Sequence, residues 1–278
     1  MPSLSSSKRK TCAHAKQAAR PFSAARRAAA RLPNSLSEES ACVDEEHPIG
    51  PFVHTNSCVL VCGTFPPVKK FITFYYPNSS NDMWRVLGEV FFHDKNHFYA
   101  DLEVARPGKG SRKSSLRVVH CLNEAEIRKF SMSHPIGFFD VCRRICRRRG
   151  NSSDDNIEAL ECTDVFRDVL AHTPRCEAII TTGTLALTML LDALHSCGSF
   201  TSATGEAVDA VARNRLGKVK YNVLRLGGKL LWTPNTTAPY QGALWIYRAP
   251  STSRALPLKL EDKIGHYRAM FAAHLHSV

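Results

Sequence analysis

The residues best suited to chemistry lie between positions 63 and 84. In Gly63-Thr64-Phe65-Pro66-Pro67 two prolines stiffen a loop and carry no N–H, so its backbone donors belong to Gly63, Thr64 and Phe65. An aromatic group follows, Phe74-Tyr75-Tyr76, and then Asn81, an amide just ahead of Met83-Trp84. Free backbone donors, a stacking ring and a polar amide together describe a pocket for a flat polar ring. An amide can position water or bind a ring edge, but it is not a strong general base.

The elements that must hold these residues follow from apolar patterning. Cys58 to Cys62 is apolar at nearly every place and reads as a buried strand. The loop then sits at a strand's carboxyl end, where open α/β sheets place ligands. Trp84, Leu87 and Phe91 share one face of a helix, with Asp82 as a carboxylate favoured at its N-terminus. Asn81 also suits a simple helix cap. Strand, tight turn and helix recur in Cys176–Thr181, Thr182-Gly183-Thr184 and Leu185–Leu194, the pattern of a parallel α/β sheet. Further helices are predicted from an Asn123 cap through Phe130, from Asp140 through the arginines that follow, over 163–172 behind Thr163, and from Leu258 to Leu275. Asn222–Leu226 and Lys229–Trp232 read as strands around Gly227-Gly228.

The 278 residues carry a net charge of +12, unevenly spread. Residues 1–34 hold eight Lys/Arg and no acid, leaving the rest at 29 minus 25, or +4. This Arg-rich, acid-free stretch fits an organelle transit peptide, mitochondrial for example, or a disordered basic tail. Lys8-Arg9-Lys10 gives a weaker nuclear-signal alternative. Residues 35–56 are polar and acidic and read as a linker, leaving 57–278 as a single domain. No apolar run approaches the roughly 18 residues that span a bilayer. The ten cysteines include no C-x-x-C pair, which favours a reducing compartment. Residues 105–115 form a basic Gly/Ser/Pro loop, and 196–219 are uninformative. Arg143, Arg144, Arg147 and Arg148 fall on one face of the helix predicted after Asp140. That face reads either as a DNA-backbone contact, Arg143 and Arg147 foremost, or as a solvated surface.

Gly63-x-x-Pro66, Tyr75-Tyr76 and Asn81-x-Met83-Trp84-x-x-Leu87 resemble the first motif of the uracil-DNA glycosylase superfamily. The spacing is most similar to its hypoxanthine-DNA glycosylase-like and mismatch-specific branches. Three positions depart from the pattern: Pro67 replaces a second glycine, Asn78-Ser79 stand where His-Pro is usual, and Phe65 stands where one branch has its catalytic Asn. The segment Gly137-Phe138-Phe139-Asp140-Val141 and the turn ending at Asp154 continue the resemblance. Asp140 there would order a pocket wall, or simply cap a helix. The superfamily's second motif, a P-S-T-S-P-A loop after a strand, is placed at Pro234-Asn235-Thr236-Thr237-Ala238-Pro239.

The resemblance implies a three-layer α/β/α domain with a central, mostly parallel sheet. It implies a monofunctional DNA N-glycosylase of base excision repair, with no metal or other cofactor. Such an enzyme flips a deaminated base, uracil or hypoxanthine, out of the stack and hydrolyses its N-glycosidic bond. Asn81 would position the water. Thr64 and Phe65 N–H groups would bind a base carbonyl, and Tyr76 would stack on the base. Pro234, Asn235 and Thr236 would hold the flanking phosphates. DNA is then the partner of a monomer without a membrane segment. Lys69 and Lys70 follow the loop, but nothing places either at a sugar carbon. Two other readings stay open: a nucleic-acid-binding protein of this fold with a degenerate pocket, and an α/β enzyme of free nucleosides. Against the second, the sequence holds neither a G-x-x-x-x-G-K-[ST] nor a G-x-G-x-x-G loop.

Overall fold

The structure is a computed structural model that describes residues 42–68, 72–106, 115–148, 153–208 and 224–276. The basic stretch 1–34, Lys69-Lys70, the centre of the basic loop at 107–114, Arg149 and residues 209–219 lie outside the described residues.

In chain order the elements are β1 (Val43–Glu46), β2 (Val59–Gly63), α1 (Met83–Phe92), β3 (Tyr99–Arg106), β4 (Ser115–Leu122), α2 (Glu124–Ser133), β5 (Ile136–Asp140), β6 (Cys142–Arg147), β7 (Ile157–Cys162), β8 (Ala178–Thr181), α3 (Thr184–His195), β9 (Gly198–Ser202), β10 (Ala207–Val208), β11 (Lys229–Pro234), β12 (Leu244–Arg248) and α4 (Leu260–Ala272). Seven strands form one sheet in the order β10-β9-β11-β12-β8-β2-β5. Its β12-β8-β2-β5 half is parallel, and the pairings from β12 out to β10 are antiparallel. The sheet is therefore mixed, with three parallel and three antiparallel pairings, where a mostly parallel one was expected.

β2 and β8 are buried along their whole length because each lies between two strands and under apolar layers on both faces. Residues alternate between those layers. Val59, Val61, Phe138 and Ile180 pack with α1, α2 and α4 around Trp84 and Tyr267. Leu60, Cys62, Ile179 and Ile246 pack with α3 around Trp232.

The expected α1, α3 and α4 are present, and Asn123 caps α2 by accepting from Glu126 N–H. The helix expected from Asp140 is not. Asp140 ends β5, and Arg143, Arg144 and Arg147 lie on β6, at the centre of a second sheet in the order β1-β6-β7. Ion pairing across that sheet overrides the helical spacing. Arg144 meets Asp44 and Arg147 meets Glu45 on β1, while Arg143 meets Glu161 and Arg148 meets Glu158 beside it on β7. The acidic stretch taken for a linker thus supplies a strand whose carboxylates answer the arginines. Cys42 and Cys146 join the same two strands as a disulfide pair, Cα–Cα 5.6 Å. Over 163–172 the backbone makes a π-helical turn capped by Asp164 and a short 3-10 turn, not the helix expected behind Thr163. Thr163 Oγ1 donates to Asp140 O instead, at 2.7 Å. The hairpin β3–β4 occupies sequence read only as a loop around 105–115. Leu224–Leu226 lies outside any strand. Among the described residues no helix is long and apolar enough to cross a membrane.

One buried ion pair joins the start of α1 to α4. Lys263 is 1% exposed, and its Nζ donates to Asp82 Oδ2 at 2.9 Å. Removing one partner of such a pair leaves an uncompensated buried charge. Lys263→Met is therefore expected to lower stability by about 3 kcal/mol, read as a displaced urea midpoint. An unchanged midpoint would show that the pair holds nothing in place.

Candidate active site at the carboxyl end of the parallel strands

A cavity of about 320 Å³ opens where β2, β5, β8 and β12 end together. Its walls include Thr64, Phe65, Tyr76 and Asn81, and also Asp140, Asp154, Thr182 and Ser251–Ala255. Gly63 is a glycine for a visible reason: a Cβ there would lie 2.2 Å from Asp140 Oδ1. The carboxylate lies directly over the end of β2.

Thr64 is buried, and its hydroxyl donates to Asp154 Oδ2 at 3.4 Å. Among the described residues no acceptor meets the N–H groups of Thr64 and Phe65, which leaves both for a ligand. Phe65 sits edge-on to His47, with the Arg147 guanidinium over its ring. Tyr76 adopts φ +54°, a left-handed conformation that costs a non-glycine residue energy and is held only by its surroundings. Those surroundings are Phe138, edge-on at 6.4 Å, and Thr182, whose Oγ1 lies 3.2 Å from the Tyr76 hydroxyl. Burial, with Asp140 nearby, pushes the Tyr76 phenol well above its usual range, so it stays protonated at neutral pH.

Asn81 reaches the cavity, but its Oδ1 accepts from Met83 N–H at 2.9 Å. The side-chain NH2 has no partner among the described residues. Asp82, next along, is a junction. Its N–H donates to Thr252 O at 2.8 Å, and its carboxylate takes Lys263 on one oxygen and Arg254 Nε, at 3.3 Å, on the other. Lys263 also donates to Ser253 O, and Tyr267 OH to Pro250 O, each at 3.1 Å. The loop after β12 is thereby fastened to α1 and α4.

That loop is Pro250-Ser251-Thr252-Ser253-Arg254-Ala255. It is the P-S-T-S-P-A pattern at five of six positions, directly after a strand, and sequence reading passed over it for Pro234–Pro239. The earlier stretch lies elsewhere. β11 runs antiparallel to β12, so Pro234, Asn235 and Thr236 emerge at the opposite end of the sheet from the cavity. Asn235 there accepts from Thr237 N–H and Oγ1, a self-contained turn.

The two arginines expected at DNA also need correction in their setting. Arg147 is 2% exposed, bonded to Glu45 through two nitrogens and to Pro66 O, so it supports the Pro66 loop from beneath. Arg143 is exposed, beside Glu161, on a strand and not a helix face.

Asp154 ends the turn that continues the resemblance in the sequence, where no role at the pocket was assigned to it. It stands at the cavity mouth. Protein packed around it raises its carboxyl above the usual range, as does Asp140, while the Thr64 hydrogen bond works the other way. Burial pushes the Cys62 thiol well up and the Cys142 thiol up to about 12, so both remain neutral and neither is a ready nucleophile. Among the described residues no group of three or more His, Cys, Asp or Glu is arranged to hold a metal ion.

No family model matches the chain, and no curated protein matches it. Among solved structures it is similar to a solution NMR structure of a candidate uracil DNA glycosylase from Methanosarcina acetivorans, with 15% identity over 83% of this chain and 98% of that one, and a TM-score of 0.44.

Gly63→Ala drives a methyl into the Asp140 carboxylate and is expected to cost about 2 kcal/mol of stability. In an Asp140→Ala background the cost should largely vanish. Equal costs in both backgrounds, from urea unfolding, would show that the close approach is not what demands glycine.

Proposed function

We propose that this chain is a monofunctional DNA N-glycosylase that hydrolyses the glycosidic bond of a flipped-out deaminated base, uracil or hypoxanthine. One observation carries the reading. A single cavity at the carboxyl end of the parallel strands gathers Thr64, Phe65, Tyr76 and Asn81 with the Pro250–Ala255 loop. Both glycosylase-like motifs, 187 residues apart from Gly63 to Pro250, thus meet at one place.

The chemistry needs a base taken from the stack, its edge recognised, and its leaving electron pair stabilised. The unpartnered N–H groups of Thr64 and Phe65 supply donors for a base carbonyl, and those bonds strengthen as the base becomes an anion. Tyr76 offers its ring to the base. The NH2 of Asn81 remains for a base edge or a water. Ser251, Thr252 and Ser253 offer hydroxyl and backbone donors for the phosphates on either side, with the Arg254 guanidinium adding charge at the rim. The basic stretch 1–34 fits an organelle-targeting segment, and a monomer suffices for this chemistry.

A second reading has an observation of its own. The Asn81 carbonyl is occupied by Met83 N–H at the start of α1, so as it stands the side chain serves the turn into that helix. A protein that binds nucleic acid at this pocket without cleaving would look the same there.

The test is single-turnover base release from oligonucleotides holding one uracil, hypoxanthine or xanthine opposite several partners, read by alkali cleavage. Wild type is expected to release a deaminated base, and Asn81→Ala to slow release roughly a hundredfold. Binding without release from any substrate would select the second reading.

A further inference from the structure

Asp140 is held from behind by His47, from the polar, acidic stretch 35–56. His47 Nε2 lies 3.0 Å from Asp140 Oδ2, and both side chains are almost wholly buried, 7% and 8% exposed. The other imidazole nitrogen, Nδ1, accepts from Ile49 N–H at 3.3 Å. That bond assigns the tautomer: Nδ1 carries no proton, so Nε2–H donates to the carboxylate. Thr163 Oγ1 fixes the backbone of the same residue through Asp140 O. Oδ1, the free end, lies over Gly63 on the cavity wall and has no hydrogen-bond partner among the described residues. Phe65 packs edge-on to the imidazole and Tyr75 lies beside it, so the ring has little room to turn.

We propose that His47 is a positioning residue which, by donating to Oδ2, aims Asp140 Oδ1 into the cavity as the catalytic carboxylate of base release. The proposal rests on the glycosylase reading. In the step it describes, the bond from C1′ to the base breaks with its electron pair going to the base nitrogen. A water oxygen bonds to C1′, and one water proton passes to Asp140 Oδ1. That proton is then given up to solvent or to the departing base anion. Asn81 cannot take this proton, because its carbonyl is already engaged and an amide is a weak base. A carboxylate next to the sugar also favours the positive charge that develops there. His47 transfers nothing, since its Nδ1 is engaged with Ile49 N–H.

The other groups facing Asp140 set what a pH measurement would see. Cys62 on β2, Cys142 on β6 and the tyrosines 75 and 76 are all held neutral by burial. Asp154, across the site, is the like charge. On the far side Asp140 borders a second cavity with Arg143 of β6 and with Asp168 and His172 of the segment after β7. A hydrogen bond donated to a carboxylate favours its ionised form. Losing the His47 donor removes that preference and the restraint on where Oδ1 points.

His47→Gln keeps an N–H donor near the Nε2 position, whereas His47→Phe and His47→Ala remove it. Base release is measured against pH for each, with the Asp140 carboxyl followed by carbon-13 aspartate labelling and assigned with Asp140→Asn. In His47→Phe and His47→Ala the acid limb of the rate profile and the carboxyl midpoint should both move upward. His47→Gln should leave both within a few tenths of wild type. Asp140→Asn should slow release by about a hundredfold or more. A slower rate in His47→Phe and His47→Ala with no displacement of limb or midpoint would overturn the proposal in favour of a packing role. Full activity in Asp140→Asn would overturn it as well. If the midpoints move as expected but wild type releases no base, the glycosylase reading fails and takes the catalytic role of Asp140 with it. If wild type releases base but no midpoint moves, only the role of His47 fails.

Discussion

Everything at the cavity depends on how Asp82 is satisfied. A carboxylate at the first turn of α1 is ordinary for a helix N-terminus. This one is nearly buried, and it bonds Lys263 of α4 and Arg254 of the loop after β12 while its N–H bonds Thr252. Charges out of water must be matched in place, so three segments distant in sequence acquire one fixed relation. Asn81, one residue earlier, is thereby set against Ser251–Ala255. The parallel strands bring the two loops to one end of the sheet, and this junction fixes how they sit there.

A second constraint works from the other side of the cavity. β6 carries three arginines in six residues, with Arg148 just past its end, and they remain stable there because β1 and β7 bring acids opposite them. Arg147 goes further. From a buried position it ties β1 to the carbonyl of Pro66, stiffening the loop whose N–H groups face the cavity. The segment after β1 then delivers His47 to Asp140. The cationic strand is part of what shapes the pocket through buried Arg147, while its other arginines pair with acids at the surface.

How much of this could be read in advance follows from the range of each interaction. Local patterns were legible. The apolar run of β2, the Asn123 cap, the strand-turn-helix at β8 and α3, and the apolar face of α4 each declare themselves within about a dozen residues. The Gly63–Asn81 group was likewise legible as a pocket, because a stiff loop, rings and an amide sit close together in sequence. The strand identity of β6 was not. Arg143, Arg144, Arg147 and Arg148 satisfy helical spacing equally well, and only pairing with Asp44, Glu45, Glu158 and Glu161 decides. The hairpin β3–β4 was hidden by the loop composition between its strands. His47 gave no local signal at all, and Asp154 only the turn it ends, since their contacts lie 93 and 90 residues away. The Pro250–Ala255 loop was different. Its pattern was present in the sequence, but the order of strands was needed to show that Pro234–Pro239 lies at the other end of the sheet from the cavity.

The central claim is that the loops at Gly63–Pro67 and Pro250–Ala255 form one nucleic-acid site. The most direct measurement is an amide proton–nitrogen NMR titration with a short single-stranded DNA holding a stable abasic-sugar analogue. The account predicts that the amides of Thr64, Phe65, Asn81 and Ser251 to Ala255 shift together with one dissociation constant, while Asn235 to Thr237 stay still. Shifts confined to Asn235–Thr237, or to the surface of β6, with the cavity amides unmoved, would contradict it.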